Sequence, residues 1–219
     1  MTIEEKKRKL VQYLEQDIEY NRKLCECVNG GTVDAKSWYD EFWDNFQENG
    51  KKIHYAYAFS FAGWNDNIYN PKYPIIVNNV NGIANMFFWN RGITDTKVHI
   101  SNTGTMIAAF ANSFIERIPS LEVNGVTDYS SAFLNCDRLK VLNLSGVIDI
   151  NGFDIHWSTG LTADSLYSII QALSTTTTGL TITLPTTAQA NYNANPPEGA
   201  PATWAELVAA RSNWTIAYA

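Results

Sequence analysis

The sequence predicts an α/β fold: N-terminal helices, a short repeat solenoid built on a parallel sheet, and a helix-strand C-terminal cap. Three observations carry that prediction. Phenylalanine recurs at a fixed interval through the middle of the chain, helical spacing of apolar residues precedes it, and two helix-then-strand patterns follow it. At 219 residues the chain can bury one core and still carry an appendage. The same signals divide it into a helix over 1–31, a helical and aromatic N-terminal cap over 32–79, repeats over 80–160 and the C-terminal cap over 161–219.

In the first segment Val11, Leu14, Ile18, Asn21, Cys25 and Val28 alternate spacings of three and four. This fits the oligomerising seam of a short coiled coil, with Asn21 as the polar position that fixes register. It fits equally an amphipathic helix lying on its own domain. Asn29-Gly30-Gly31 ends the helix. A second helix starts at Ser37, with Trp38, Tyr39, Phe42, Trp43 and Phe46 along one broad aromatic face, as suits a lid over an open core. "IHYAYAFSF" from Ile53 alternates as a strand, and the turn-rich loop after it presents Trp64, Asn65, Asp66, Tyr69 and Tyr73. Aromatic faces beside amides and a carboxylate would suit a sugar; they would also pin the loop to the N-terminal cap.

Phe87, Phe110 and Phe133 lie 23 residues apart, and Trp157 follows at 24. Val98, Leu121 and Leu144 share the 23-residue step, as do Ile100 and Val123. Ala109-Phe110-x-Asn112 recurs as Ala132-Phe133-x-Asn135. With L-x-x-L-x-L at Leu139, Leu142 and Leu144, this is the leucine-rich-repeat pattern, in which short strands bury one another's inward side chains as ladders. Phe133 is expected to fill the back of a coil and Asn135 to bond the bare backbone of the turn. Cys136 reads as a small buried filler rather than a catalytic thiol.

"SSAFLNCDRLKVLNL" (130–144) and "IAAFANSFIERIPSLEV" (107–123) resemble the A-F-x-N-C-x-x-L-x-x-I/L signature of the BspA-like leucine-rich-repeat family. The resemblance covers about residues 80–160. Only Asn135-Cys136 keeps the full signature, and Ser113 replaces the cysteine one unit earlier. It implies a role in bacterial surface adhesion or in a phage structural protein. The wider layout, from "WYDEFWDNFQENG" to "NWTIAYA", is similar to proteins of gut Firmicutes and their phages that are described as phage minor structural proteins.

After the repeats, Thr162 is an N-cap for a helix carrying Leu166, Ile169, Ile170 and Leu173 on one face. "GLTITLP" is a strand, Thr203-x-x-Glu206 a capping box opening a helix through Arg211, and "NWTIAYA" a last strand. The two helix-strand pairs are expected to continue the parallel sheet with larger coils.

The net charge of −6, with one short basic run at Lys6–Lys9 beside Glu4 and Glu5, argues against nucleic acid. Three cysteines, 25, 27 and 136, cannot complete a paired framework, which fits a reducing compartment such as bacterial cytoplasm. No apolar leader or long apolar run is present, so neither Sec export nor membrane insertion is expected. His54, His99 and His156 are scattered; "DINGFD" (Asp149–Asp154) lacks the ligands of a calcium loop; Asp40, Glu41 and Asp44 ride a helix face. No catalytic residue, cofactor or metal is expected. The expectation is a non-enzymatic virion protein of a phage, made in bacterial cytoplasm and presenting its repeat face to host protein or glycan. Its partners would be other virion proteins or the host surface, with homo-oligomerisation through the N-terminal helix. A BspA-like adhesin of the bacterial cell surface is the alternative, and a wall- or capsule-degrading enzyme on a repeat scaffold a third.

Overall fold

Short strands joined by tight turns dominate the first half of the described chain, and helices enter only after residue 162. The computed structural model describes residues 53–54, 76–77, 80–95, 99–100 and 104–219, all within the unit Lys52–Ala219. The seam residues from Val11 to Val28, the aromatic helix from Ser37, the loop bearing Trp64, Asn65, Asp66, Tyr69 and Tyr73, and Val98 lie outside the described residues. The strands are β1 (Ile53–His54), β2 (Ile76–Val77), β3 (Val80–Gly82), β4 (His99–Ile100), β5 (Arg117–Glu122), β6 (Val141–Ser145), β7 (Leu180–Leu184) and β8 (Trp214–Tyr218). The helices among the described residues are α1 (Ala163–Ala172), α2 (Ala188–Ala194) and α3 (Trp204–Ala209). Every pairing is parallel, in sheets ordered β1-β3, β2-β4-β5-β6 and β7-β8. Among the described residues the fold is mixed α/β with small parallel sheets and no barrel.

Residues one unit apart lie beside each other. Asn85, Phe87 and Trp89 donate their N–H groups to the carbonyls of Ile107, Ala109 and Ala111, at 2.9, 2.7 and 2.9 Å. One unit on, Ala108, Phe110 and Asn112 donate to Ser130, Ala132 and Leu134 at 2.9, 2.9 and 2.7 Å. The N–H groups between them close back within their own turn, as Met86 to Ile83 and Phe88 to Asn85 do. Most backbone donors of these turns thus bond other backbone, while the Ser130 N–H of the next turn bonds Asp128 Oδ1 at 2.7 Å.

Along that stack Phe87, Phe110 and Phe133 are fully buried, with successive ring centroids 5.4 Å apart and planes 9° and 7° from parallel. Stacked pairs of this geometry are worth about 0.5–1.5 kcal/mol each beyond their buried area. The next ring is not Trp157. Phe153 meets Phe133 at 5.5 Å, while Trp157 is 41% exposed. The reason is the length of the third step: Ser158 bonds the carbonyl of Cys136, 22 residues back. A 22-residue step puts Trp157 over Asn135, on the outside, and gives the inward positions to Phe153 and Ile155.

The strand side keeps a looser register. Leu121 pairs with Leu144 as expected, but Ile100 pairs with Leu121 and not with Val123. The stretch from Ser120 to Asp128 is two residues longer than its partner from His99 to Thr105, although both ends pair. A slip of two preserves which face each side chain takes, so the core survives it. Leu144 is only half-buried; Ile118 and Leu142, which pair with each other, are fully buried in its place.

The C-terminal pairs do not continue the four-stranded sheet. Helix α1 lies against β6, and β7 and β8 pair with each other separately. The hydroxyl of Ser165 accepts from the Leu142 N–H at 2.9 Å, and that of Ser168 accepts from Leu144 N–H at 3.2 Å. Ser168 also donates to the Leu142 carbonyl at 3.1 Å. With those groups taken by a helix, no strand can add to that side of β6. Thr162 caps α1, and Thr203 with Glu206 closes the full capping box of α3.

Candidate ligand-binding groove

The turn that carries each phenylalanine also sorts its next residues into an inner and an outer column. Trp89, Asn112 and Asn135 have φ of 53°, 57° and 54°, the left-handed region. Asparagine visits that region readily, whereas a bulky tryptophan there is strained. The residue after each of them turns inward: Asn90, Ser113, Cys136 and, after the shorter step, Ser158 are all buried.

The inner column is polar and bonded. Asn90 Oδ1 accepts from the Ile93 N–H at 2.9 Å, Cys136 Sγ donates to the Phe110 carbonyl at 3.0 Å, and Ser158 Oγ donates to the Cys136 carbonyl at 2.9 Å. Burial pushes the Cys136 thiol up to about 12, against the weaker opposing effect of its hydrogen bonds with Ser113. A nucleophile must be a thiolate, so this sulfur is a packed, bonded filler at neutral pH. Asn135 does not bond turn backbone as expected. Its Nδ2 donates to Asn112 Oδ1 at 2.7 Å, one unit away.

The outer columns line a shallow cavity of about 270 Å³. Its lining is Trp89, Asn112 and Asn135 from one column, Arg91, Phe114 and Asp137 from another, and Trp157. The Arg91 guanidinium lies 5.2 Å from the ring centroids of both Trp89 and Phe114, and that of Arg138 lies 3.6 Å from Phe114. These cation–π contacts hold the charged heads against ring faces. Trp157 is steadied by His156, whose ring is 4.6 Å away. His156 in turn is fixed by Asp154 Oδ1, 2.6 Å from its Nδ1 and 3.2 Å from its N–H. Asp154 of the "DINGFD" stretch is therefore engaged locally, and no group of three or more metal-ligating side chains occurs among the described residues.

Of the side chains expected to matter, Phe87, Phe110, Phe133, Leu121 and Cys136 meet in the core. The groove residues Trp89, Arg91, Phe114 and Asp137 had gone unread. Their signal was present: Trp89, Asn112 and Asn135 share the 23-residue step, as do Arg91, Phe114 and Asp137. No helix among the described residues is long and apolar enough to cross a membrane. A scan against protein-family models and searches of the curated proteins and of the solved structures give no match.

Proposed function

We propose that residues 80–160 form a BspA-like leucine-rich-repeat solenoid and that the chain is a non-enzymatic structural or adhesion protein of a phage particle. The observation that carries this reading is the Phe87–Phe110–Phe133 stack with its constant 5.4 Å spacing. A chain that repeats its inward residues is free to vary its outward ones. Equivalent outer positions then line up as one continuous face, and such a face is suited to recognition. The groove of Trp89, Asn112, Asn135 and Trp157 is made in that way. The family resemblance of "SSAFLNCDRLKVLNL" supplies the biological setting, with host protein or glycan as the partner.

Peptide mass spectrometry of density-purified particles tests the proposal. Peptides from this chain at a constant ratio to the capsid protein are the expected result. Recovery from the envelope of uninfected bacteria, with none in particles, would instead establish the cell-surface adhesin.

A further inference from the structure

We infer that the groove between Trp89 and Trp157 binds a single uncharged pyranose ring, with Trp157 as its stacking platform. The inference rests on the recognition role proposed above and names its ligand class.

Four observations point this way. The cavity, about 270 Å³, is below the usual size of a drug-like pocket, and it suits one ring rather than a chain. Trp157, 41% exposed, is oriented by the Asp154–His156 pair behind it. An exposed indole held in one orientation offers a flat apolar face, which packs against the axial C–H face of a sugar. The same cavity is lined by polar groups of both kinds. The Asn112 and Asn135 amides, locked to each other at 2.7 Å, keep further donor and acceptor capacity, and Asp137 is an exposed carboxylate. Ring hydroxyls both give and accept, so such a mixed rim matches them. Finally, the charged side chains of the lining cancel: Arg91 and Asp137 contribute one charge of each sign, so the groove has no net charge with which to select an ion.

The experiment is saturation-transfer NMR on the full chain with glucose, galactose, N-acetylglucosamine and glucuronate, followed by titration of whichever gives a signal. Transfer from the protein to one neutral sugar, strongest at the C–H protons of one ring face, is expected. Trp157→Ala should weaken binding at least tenfold and Trp157→Phe by only a few-fold. Trp157 is 41% exposed and packs its other surface on His156, so Trp157→Ala is expected to lower the unfolding temperature; binding is therefore measured well below the unfolding of each variant, which separates a lost site from a lost fold. No transfer to any neutral sugar, transfer to glucuronate alone, or unchanged binding by Trp157→Ala would each overturn the inference. The particle measurement is independent of all these outcomes: a chain found in virions that ignores sugars keeps its proposed role and loses this ligand.

Discussion

Between Ile83 and Leu161 the chain stabilises itself by repetition, whereas from Thr162 to Ala219 it relies on individually placed side chains. In the first region, backbone groups bond their counterparts one unit away and rings lie on like rings. In the second, Ser165 and Ser168 hydroxyls serve the edge of β6, and the Arg211 guanidinium bonds the carbonyls of Leu173 and Gln171 at the end of α1. Asn213 bonds the carbonyls of Ser174 and Thr177, and Trp214 Nε1 bonds Ser174 as well. Repetition is insensitive to sequence at its outer positions but depends on every inner one. A fitted terminus is the reverse: its polar side chains are individually necessary because each closes a specific gap in the backbone.

The largest test of this difference is Phe110→Ala. Its ring contacts Phe87 on one side and Phe133 on the other and is fully buried. Loss of about 3–5 kcal/mol is expected, read as a drop in the urea midpoint. A loss under about 1 kcal/mol would mean that the turns hold together through their backbone bonds and that the rings only fill space.

Alkaline pH probes the same interior. The folded Cys136 thiol sits at about 12 against an ordinary 9.0. Above pH 9 the unfolded chain gives up a proton that the folded chain keeps, so stability falls with rising pH. One such group contributes about 1.4 kcal/mol per pH unit, or about 2 kcal/mol by pH 10.5. Desolvation raises Tyr129 as well, which adds loss of the same sign at still higher pH. Urea midpoints measured at intervals from about pH 8 should show this decline. Cys136→Ser, which copies the residue already used at Ser113 and Ser158, should flatten the first part of it. An unaltered slope would assign the decline to other groups.

At the junction of the two regions, Ser165→Ala removes the acceptor of the Leu142 N–H. Leu142 is fully buried, so the donor is left without water, at a cost of about 1.5 kcal/mol. Faster hydrogen exchange at Leu142, with exchange at Phe110 unchanged, would locate the effect at the seam. Equal acceleration at both amides would show that the regions unfold as one.

The repetitive region was the more legible in the sequence, and physics explains where legibility ended. A phenylalanine every 23 residues needs no knowledge of contacts to be seen, and neither does the Thr203–Glu206 box. Trp157 was misplaced because one shorter step moves a residue from the inner column to the outer, and aromatic character alone does not report which. The two-residue slip that pairs Ile100 with Leu121 was hidden because both registers bury aliphatic side chains. Helix α2 escaped notice because Ala188 and Tyr192 are its only buried residues and Thr187 makes no side-chain cap bond. The groove has no local motif, and its only trace in the sequence is the 23-residue step shared by its columns. Its lining residues come from four turns and meet only after those turns have stacked.

Backbone conformation supplies the smallest and most discriminating contrast. The left-handed positions of the stacked turns are held by Asn85, Trp89, Ala108, Asn112, Ser131 and Asn135, whereas every positive-φ position from residue 146 onward among those described is a glycine. Ala108, at φ 49°, keeps its strained backbone because its N–H bonds Ser130 at 2.9 Å in the next turn. Relieving that strain with Ala108→Gly recovers about 1–2 kcal/mol, offset by about 0.5–1 kcal/mol of added unfolded-state entropy. A net gain of about 0.5 kcal/mol in thermal or urea unfolding follows from those two terms. Gly179 at φ 74° is the mirror case: a Cβ there meets nothing within 4 Å, so Gly179→Ala adds no clash, reverses the same two terms and should destabilise by about 0.5 kcal/mol. Opposite signs for the two substitutions would show that the stack tolerates strain that the C-terminal region avoids. If Ala108→Gly also destabilises, alanine at this turn carries no net penalty, and the inter-turn bonds set its conformation without opposition.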